Sequence, residues 1–122
     1  MSDVTTKSRG DAAEEVVATW LESQGIQIVA RNLRLGKYEI DIVAREERLV
    51  LVIEVRTRSA RSWTSAFSSI SPSKRARVRR AGSRLWDRRY RNDSTVDRLR
   101  YDAVSVTYEH GIAKIEYIRA AF

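Results

Sequence analysis

A single mixed α/β domain is what the sequence predicts, and three observations predict it. A segment with helical spacing, three apolar β-branched runs, a second helical segment and two more such runs follow one another without an internal repeat. With 43% hydrophobic residues among 122, the chain has the apolar side chains for one core. One proline, five glycines and 32% charged residues do not carry the bias of collagen-like, low-complexity or disordered chains.

The elements follow in order. Residues 1–8 read as a flexible N-terminus and 9–122 as the domain. The stretch DAAEEVVATWLESQG sets Ala12, Val16, Trp20 and Leu21 at helical spacing, with acids expected in the first turn and Gly25 as the stop. IQIVARNLRL alternates Ile26, Ile28 and Ala30 with polar neighbours and predicts a strand. YEIDIVAR and LVLVIEVRTR are the two clearest strands, joined by a charged turn at Glu46-Glu47-Arg48. The second is almost continuously apolar, as a central strand covered on both faces should be. SARSWTSAFSSIS reads as a loop over the sheet edge with room to move. Ser71 suits an N-cap and Pro72 a first helical position, so a helix is expected from there to about Tyr90, burying Val78, Ala81, Gly82 and Leu85. After the turn-like NDST come RYDAVSVTYE and IAKIEYI, two strands around a His110-Gly111 turn.

Composition removes several function classes. Without cysteine there is no disulfide, thiolate metal site or cysteine nucleophile. The polar, acid-containing start and the lack of any apolar run near 18 residues predict a cytoplasmic protein with no membrane partner. His110 is the one histidine and falls in a turn, which disfavours a histidine metal cluster or a Ser-His-Asp triad. No glycine-rich loop precedes a helix, which disfavours triphosphate chemistry. The formal charge of +7 is unevenly spread: residues 1–55 carry 7 Lys/Arg against 10 Asp/Glu, residues 56–122 carry 16 against 6. Such an asymmetry suits a solvated face, a membrane surface or a polyanion, and nucleic acid is the commonest polyanion.

Glu39 and Asp41 stand two apart on one strand, and Glu54 and Arg56 repeat that spacing on the next. Pairing through the turn near 47 and 48 sets 41 almost opposite 54. Three carboxylates would then converge on one sheet face, costly unless a cation neutralises them, and a hard ion such as Mg²⁺ or Mn²⁺ favours such oxygens. The bland alternative is the solvated face of a hairpin. Ile40, Ile42, Val52, Ile53 and Val55 make these strands too apolar for that.

Glu14, Trp20-Leu21-Glu22-Ser23-Gln24-Gly25, Ala30-Arg31-Asn32, Glu39-Ile40-Asp41-Ile42-Val43-Ala44, Ile53-Glu54-Val55-Arg56-Thr57-Arg58, Ser71-Pro72-Ser73-Lys74, Arg100-Tyr101-Asp102-Ala103-Val104 and Ala121-Phe122 together resemble the bacterial YraN family of uncharacterised, endonuclease-like proteins. The resemblance covers about residues 9–122. It implies a restriction-endonuclease-like three-layer α/β core of the PD-(D/E)XK superfamily, similar to Holliday-junction resolvases, with a central mixed sheet of about five strands flanked by helices. It also implies that Asp41 and Glu54 are metal ligands, with Glu39 as the acid before them, Glu14 as the first-helix acid, and Arg56 in the place of an active-site lysine. A symmetric homodimer would accord with the resolvase likeness. Tyr38 and Ala13 stand where the family usually has glycine.

From Arg56 to Arg100 there are 14 Lys/Arg and 3 Asp. Arg56 and Arg58, with Lys74, Arg77, Arg84, Arg88 and Arg91 along one helical stripe, are the candidate nucleic-acid contacts, because guanidinium groups suit bidentate phosphate binding. Trp63, Phe67, Trp86 and Tyr90 are of the kind that stacks on unpaired bases, though core packing is the commoner use of Trp86 and Tyr90 at their i, i+4 spacing. The leading expectation is a Mg²⁺- or Mn²⁺-dependent endonuclease on nucleic acid, DNA before RNA, with Asp41, Glu54 and Glu39 as metal ligands and catalytic roles for these, Glu14 and Arg56. Two rivals come from other classes. Arginine stays charged where lysine can lose a proton, so Arg56 also fits a nucleic-acid-binding module whose cutting has lapsed. The third reading is an interaction domain for an acidic protein.

Overall fold

The structure is a computed structural model. It describes the backbone of residues 6–59 and 70–122, and the side chains of 11–57 and 70–122. A five-stranded mixed sheet carries one helix on each face. The elements are α1 (Thr6–Ser23), β1 (Gln27–Leu35), β2 (Tyr38–Glu46), β3 (Leu49–Ser59), α2 (Pro72–Leu85), β4 (Arg98–Glu109) and β5 (Ile112–Ile118). The strands stand side by side in the order β1-β2-β3-β4-β5. All neighbours are antiparallel except β3 and β4, which are parallel and joined by the crossover that contains α2.

β3 has the composition of a central strand and is covered on both sides. Val50 and Val52 face α2 and pack with Val78, Ala81 and Leu85. Leu51 and Ile53 face α1 and pack with Ala13, Val17 and Leu21. The β2–β3 register includes Ile42↔Ile53, the pairing expected from the charged turn. α2 starts as predicted, with Ser71 Oγ accepting the Lys74 backbone N–H and Pro72 in the first turn. Val78, Ala81, Gly82 and Leu85 are its buried residues, and a π-helical turn at Trp86–Tyr90 continues it to the expected end. At Gly82 an added Cβ would stand 2.4 Å from the Tyr101 ring, so the missing side chain is what lets α2 lie against β4.

α1 departs from expectation in two ways. It begins at Thr6, inside the segment read as a loose terminus, so Asp11, Glu14 and Glu15 fall beyond its first turn. Leu21 is buried as expected, but the rest of the buried stripe is Ala13, Val17 and Ala18, with Ala12 exposed and Val16 and Trp20 half-buried, one position round from the residues that periodicity suggested. The two alanines and paired valines make adjacent stripes nearly equal in apolar content, and contact with Ile42, Leu51 and Ile53 decides between them. Gly25, at φ 81, ends the helix with the Ile26 N–H donating to the Leu21 carbonyl. The His110-Gly111 hairpin turn has positive φ at both positions, 53 and 76. The Ser-rich segment over 60–69 lies outside the described residues.

Candidate functional site

The site begins at an interruption in the sheet. The β1–β2 register shifts between Ile28 and Ala30, and further along it keeps one register from Arg31↔Ile42 to Leu33↔Ile40 while Asn32 and Asp41 between them are left unpaired. Asn32 has φ 50, a left-handed conformation that asparagine tolerates better than most residues. On the other side, the β2–β3 pairing stops at Ile42↔Ile53. Beyond that point the Asp41 carboxylate replaces the ladder, accepting the Val55 N–H at 2.8 Å. Alternation breaks at the same place: Ile40 packs under α2 and Ile42 under α1, although they stand two apart. Asp41 is therefore held by its own irregular backbone, at the point where β2 and β3 part.

Glu54 continues the face of Val50 and Val52, toward α2. Its Oε1 lies 2.6 Å from Lys74 Nζ, and the two side chains are only 15% and 24% exposed. Burial first, then the neighbouring Glu54 charge, pushes the Asp41 carboxyl up to about 7; the Val55 N–H and the Lys74 ammonium act in the opposite direction. Glu14, 7% exposed on α1, is also raised, chiefly by burial, against a hydrogen bond from the Asn32 amide and the charge of Arg31. One carboxylate oxygen of Glu14 and the Nε of Arg56 are buried without a hydrogen-bond partner, which is uncommon in a folded chain and concentrated at this site.

Glu39 does not join Asp41 and Glu54. It is exposed and lies 3.5 Å from Arg34, its cross-strand partner on β1. The convergence of three carboxylates on one sheet face is thus replaced by an Asp41–Glu54 pair, because regular alternation fails at Asp41 and Glu54 faces α2. Among the described residues, no three acidic or histidine side chains are arranged to hold one ion.

α2 presents Lys74, Arg75, Arg77, Arg79, Arg80 and Arg84 with no acid in Pro72–Leu85. Lys74 turns inward to Glu54, whereas Arg77, Arg84, Arg88 and Arg91 remain exposed. Arg84 rests over the Tyr38 ring, 5.5 Å from its centroid, and lines an open cleft with Tyr38, Arg80, Ser83, Asp87 and Arg88. Tyr90 is a core residue and Trp86 packs half-buried against the same cluster, the commoner use of such aromatics. The side chains of Arg58, Trp63 and Phe67 lie outside the described residues. No helix among the described residues is long and apolar enough to cross a membrane.

Residues 13–106 match the model of a family described as uncharacterised protein family UPF0102. The chain belongs to that family. A UPF0102 protein of Sorangium cellulosum is 50% identical over 117 residues, which is 95% of this chain and 81% of that protein. One from Dichelobacter nodosus is 34% identical, covering 95% and 90% of the two chains. The UPF0102 protein YraN of Escherichia coli O127:H6 is 36% identical over 120 residues, covering 98% and 87%.

In this UPF0102 chain, sequence reasoning missed two features of the site. Asn32 touches both of its irregularities, facing Asp41 across the strands and hydrogen-bonding Glu14; the available signal was an asparagine inside a strand pattern. Lys74 was assigned to an outward phosphate stripe, and only the turn of helix set by its cap aims it at Glu54. Asp102, fully buried, organises a separate structural network by accepting from Arg100, the Tyr117 hydroxyl and the Ala120 N–H.

Proposed function

We propose that this chain is a nucleic-acid-binding protein of endonuclease type, a phosphodiesterase acting on DNA in which Asp41 and Glu54 hold a divalent cation. The observation that carries this reading is the half-buried Asp41 carboxylate, fixed by the Val55 N–H where β2 and β3 part and set beside the Glu54 carboxylate; burial first, then that neighbour, pushes it up to about 7. Two neighbouring hard oxygen donors fit a small divalent cation, which takes one or two carboxylates and fills its remaining positions with water and phosphate oxygens. When bound by Asp41 and Glu54, Mg²⁺ or Mn²⁺ supplies charge for the phosphate and lowers the pKa of water.

The protein's own groups do the remaining work. The Val55 N–H fixes which way the Asp41 carboxylate points. Arg56, with a buried Nε that lacks a partner, has donors to offer a phosphate oxygen, and its permanent charge stabilises negative charge that builds during hydrolysis. Glu14, buried across from Asp41 and held by Asn32, orients water at the edge of the site. The exposed arginines of α2 grip flanking phosphates and set the direction of the strand. A second reading, binding without cleavage, is favoured by one residue: Arg56 cannot give up a proton.

Incubating purified protein with labelled linear and branched DNA, and with RNA, with and without Mn²⁺, tests the proposal. Mn²⁺-dependent cleavage by the wild type is expected, with a loss of about 100-fold or more in Asp41→Ala. Cleavage that is absent in the wild type, or equal in Asp41→Ala, would refute it.

A further inference from the structure

α2 reaches the site through its first turn. Ser71 accepts the Lys74 N–H at 3.1 Å and Pro72 fixes the first helical φ, so the rotation of that turn is set before the helix meets the sheet. The consequence is selective. Arg75 and Arg77 stay exposed, while Lys74 is folded in and brings its Nζ to 2.6 Å from Glu54 Oε1. Its charge also bears on Asp41. On the same face of β3, Arg56 holds a buried Nε with no partner.

The ion pair is not needed to attach the helix, which Val78, Ala81 and Leu85 already fix to the sheet. A sheltered pair of this kind adds little stability over apolar side chains of equal size. It does place a positive charge on Glu54 and close to Asp41. Lysine carries that charge differently from arginine: the ammonium is a compact charge on a flexible four-carbon stem, with three donors of which Glu54 needs one, whereas guanidinium is a rigid fork. Arg56 can grip but cannot easily change partner. Lys74 can.

We propose that Lys74 is the exchangeable cation of this site, its ammonium resting on Glu54 until a divalent cation is bound there and then turning to hold an oxygen of the scissile phosphate. This rests on the phosphodiesterase reading and adds a residue delivered by the helix rather than by the strand. In this arrangement the two cationic side chains divide their tasks. Arg56 stays in place on β3, and Lys74 moves between carboxylate and phosphate, so that the carboxylate pair is never left without a positive charge.

Four proteins test it: wild type, Lys74→Met, Asp41→Ala and Lys74→Met combined with Arg56→Lys, each checked for folding by its thermal melt, with Lys74→Gln in reserve should the methionine variant not fold. Mn²⁺ affinity is read by calorimetry and cleavage of labelled DNA at saturating Mn²⁺. Lys74→Met should bind Mn²⁺ about tenfold more tightly, because no ammonium competes for Glu54. It should also cleave at least about 100-fold more slowly, and the added strand lysine should restore about tenfold of that loss. Affinity unchanged by Lys74→Met removes the resting place on Glu54, and cleavage unchanged by it removes the phosphate role. If Asp41→Ala loses Mn²⁺ and cleavage while Lys74→Met matches the wild type, only the Lys74 proposal has failed. If Asp41→Ala binds Mn²⁺ like the wild type and none of the proteins cleaves, the phosphodiesterase reading fails and this proposal with it.

Discussion

Burial and the Glu54 carboxylate push the Asp41 carboxyl from its ordinary 3.8 to about 7, and that shift acts on stability as well as on chemistry. Between those two values the folded chain keeps a proton that the unfolded chain has released. Stability from this group is therefore greatest below about pH 4, falls as pH rises toward 7 and levels above it. The span is on the order of 2–4 kcal/mol at about 1.4 kcal/mol per pH unit. Asp41→Asn keeps an acceptor for the Val55 N–H and removes the charge, so it should be more stable than the wild type at pH 8 by about 1–3 kcal/mol and nearly equal to it at pH 4. Paired urea melts at the two pH values check this. An equal difference at both would mean that Asp41 is not held in the protonated form by its surroundings. Asp41 and Glu54 were legible as candidates because acids interrupt apolar strand runs there, whereas the place of Arg56 came from the family resemblance. Asn32 and the inward turn of Lys74 were not, since one depends on a single left-handed residue and the other on which way a capped helix faces.

At the scale of elements, the strands were legible because their signals were redundant. The charged turn at Glu46-Glu47-Arg48 fixed a register that the apolar runs on both sides also required, and Ile42↔Ile53 follows from it. α2 was equally clear, since cap, first-turn proline and buried stripe all agree. α1 was not: its start lies in a polar stretch without an apolar signal, and two adjacent stripes were near-equal candidates for the core. The alternation rule failed at two irregular places: between Ile28 and Ala30 on β1, where the register shifts and the two side chains pack on opposite faces, and at Asp41, where the candidate site stands. The exposed arginines of α2 and of the Trp86–Tyr90 turn that continues it carry their own prediction. If Arg84 and Arg88 each contact one phosphate, Arg84→Ala with Arg88→Ala should weaken duplex binding and reduce the slope of log affinity against log salt by about 2. Fluorescence anisotropy across a salt series reads this directly. An unchanged slope would take α2 out of the contact surface.

For the whole molecule, the unequal charge of the two halves of the sequence becomes a spatial arrangement. Asp41 and Glu54 sit where β2 and β3 part, and α2, in the crossover from β3 to β4, carries cationic side chains and no acid. On the proposed reading, a polyanion held along that helix would be led toward Asp41 and Glu54. The two core clusters, one under each helix, pack the central strands on both faces, and Asp41 and Glu54 stand at the end of the β2–β3 ladder. The most direct test is a crystal of the protein soaked in Mn²⁺ near pH 8 and measured for anomalous scattering. A manganese peak between Asp41 and Glu54, with the Lys74 ammonium moved off Glu54, is the expected result. No peak there, with the Lys74–Glu54 pair intact, would contradict a cation-dependent site.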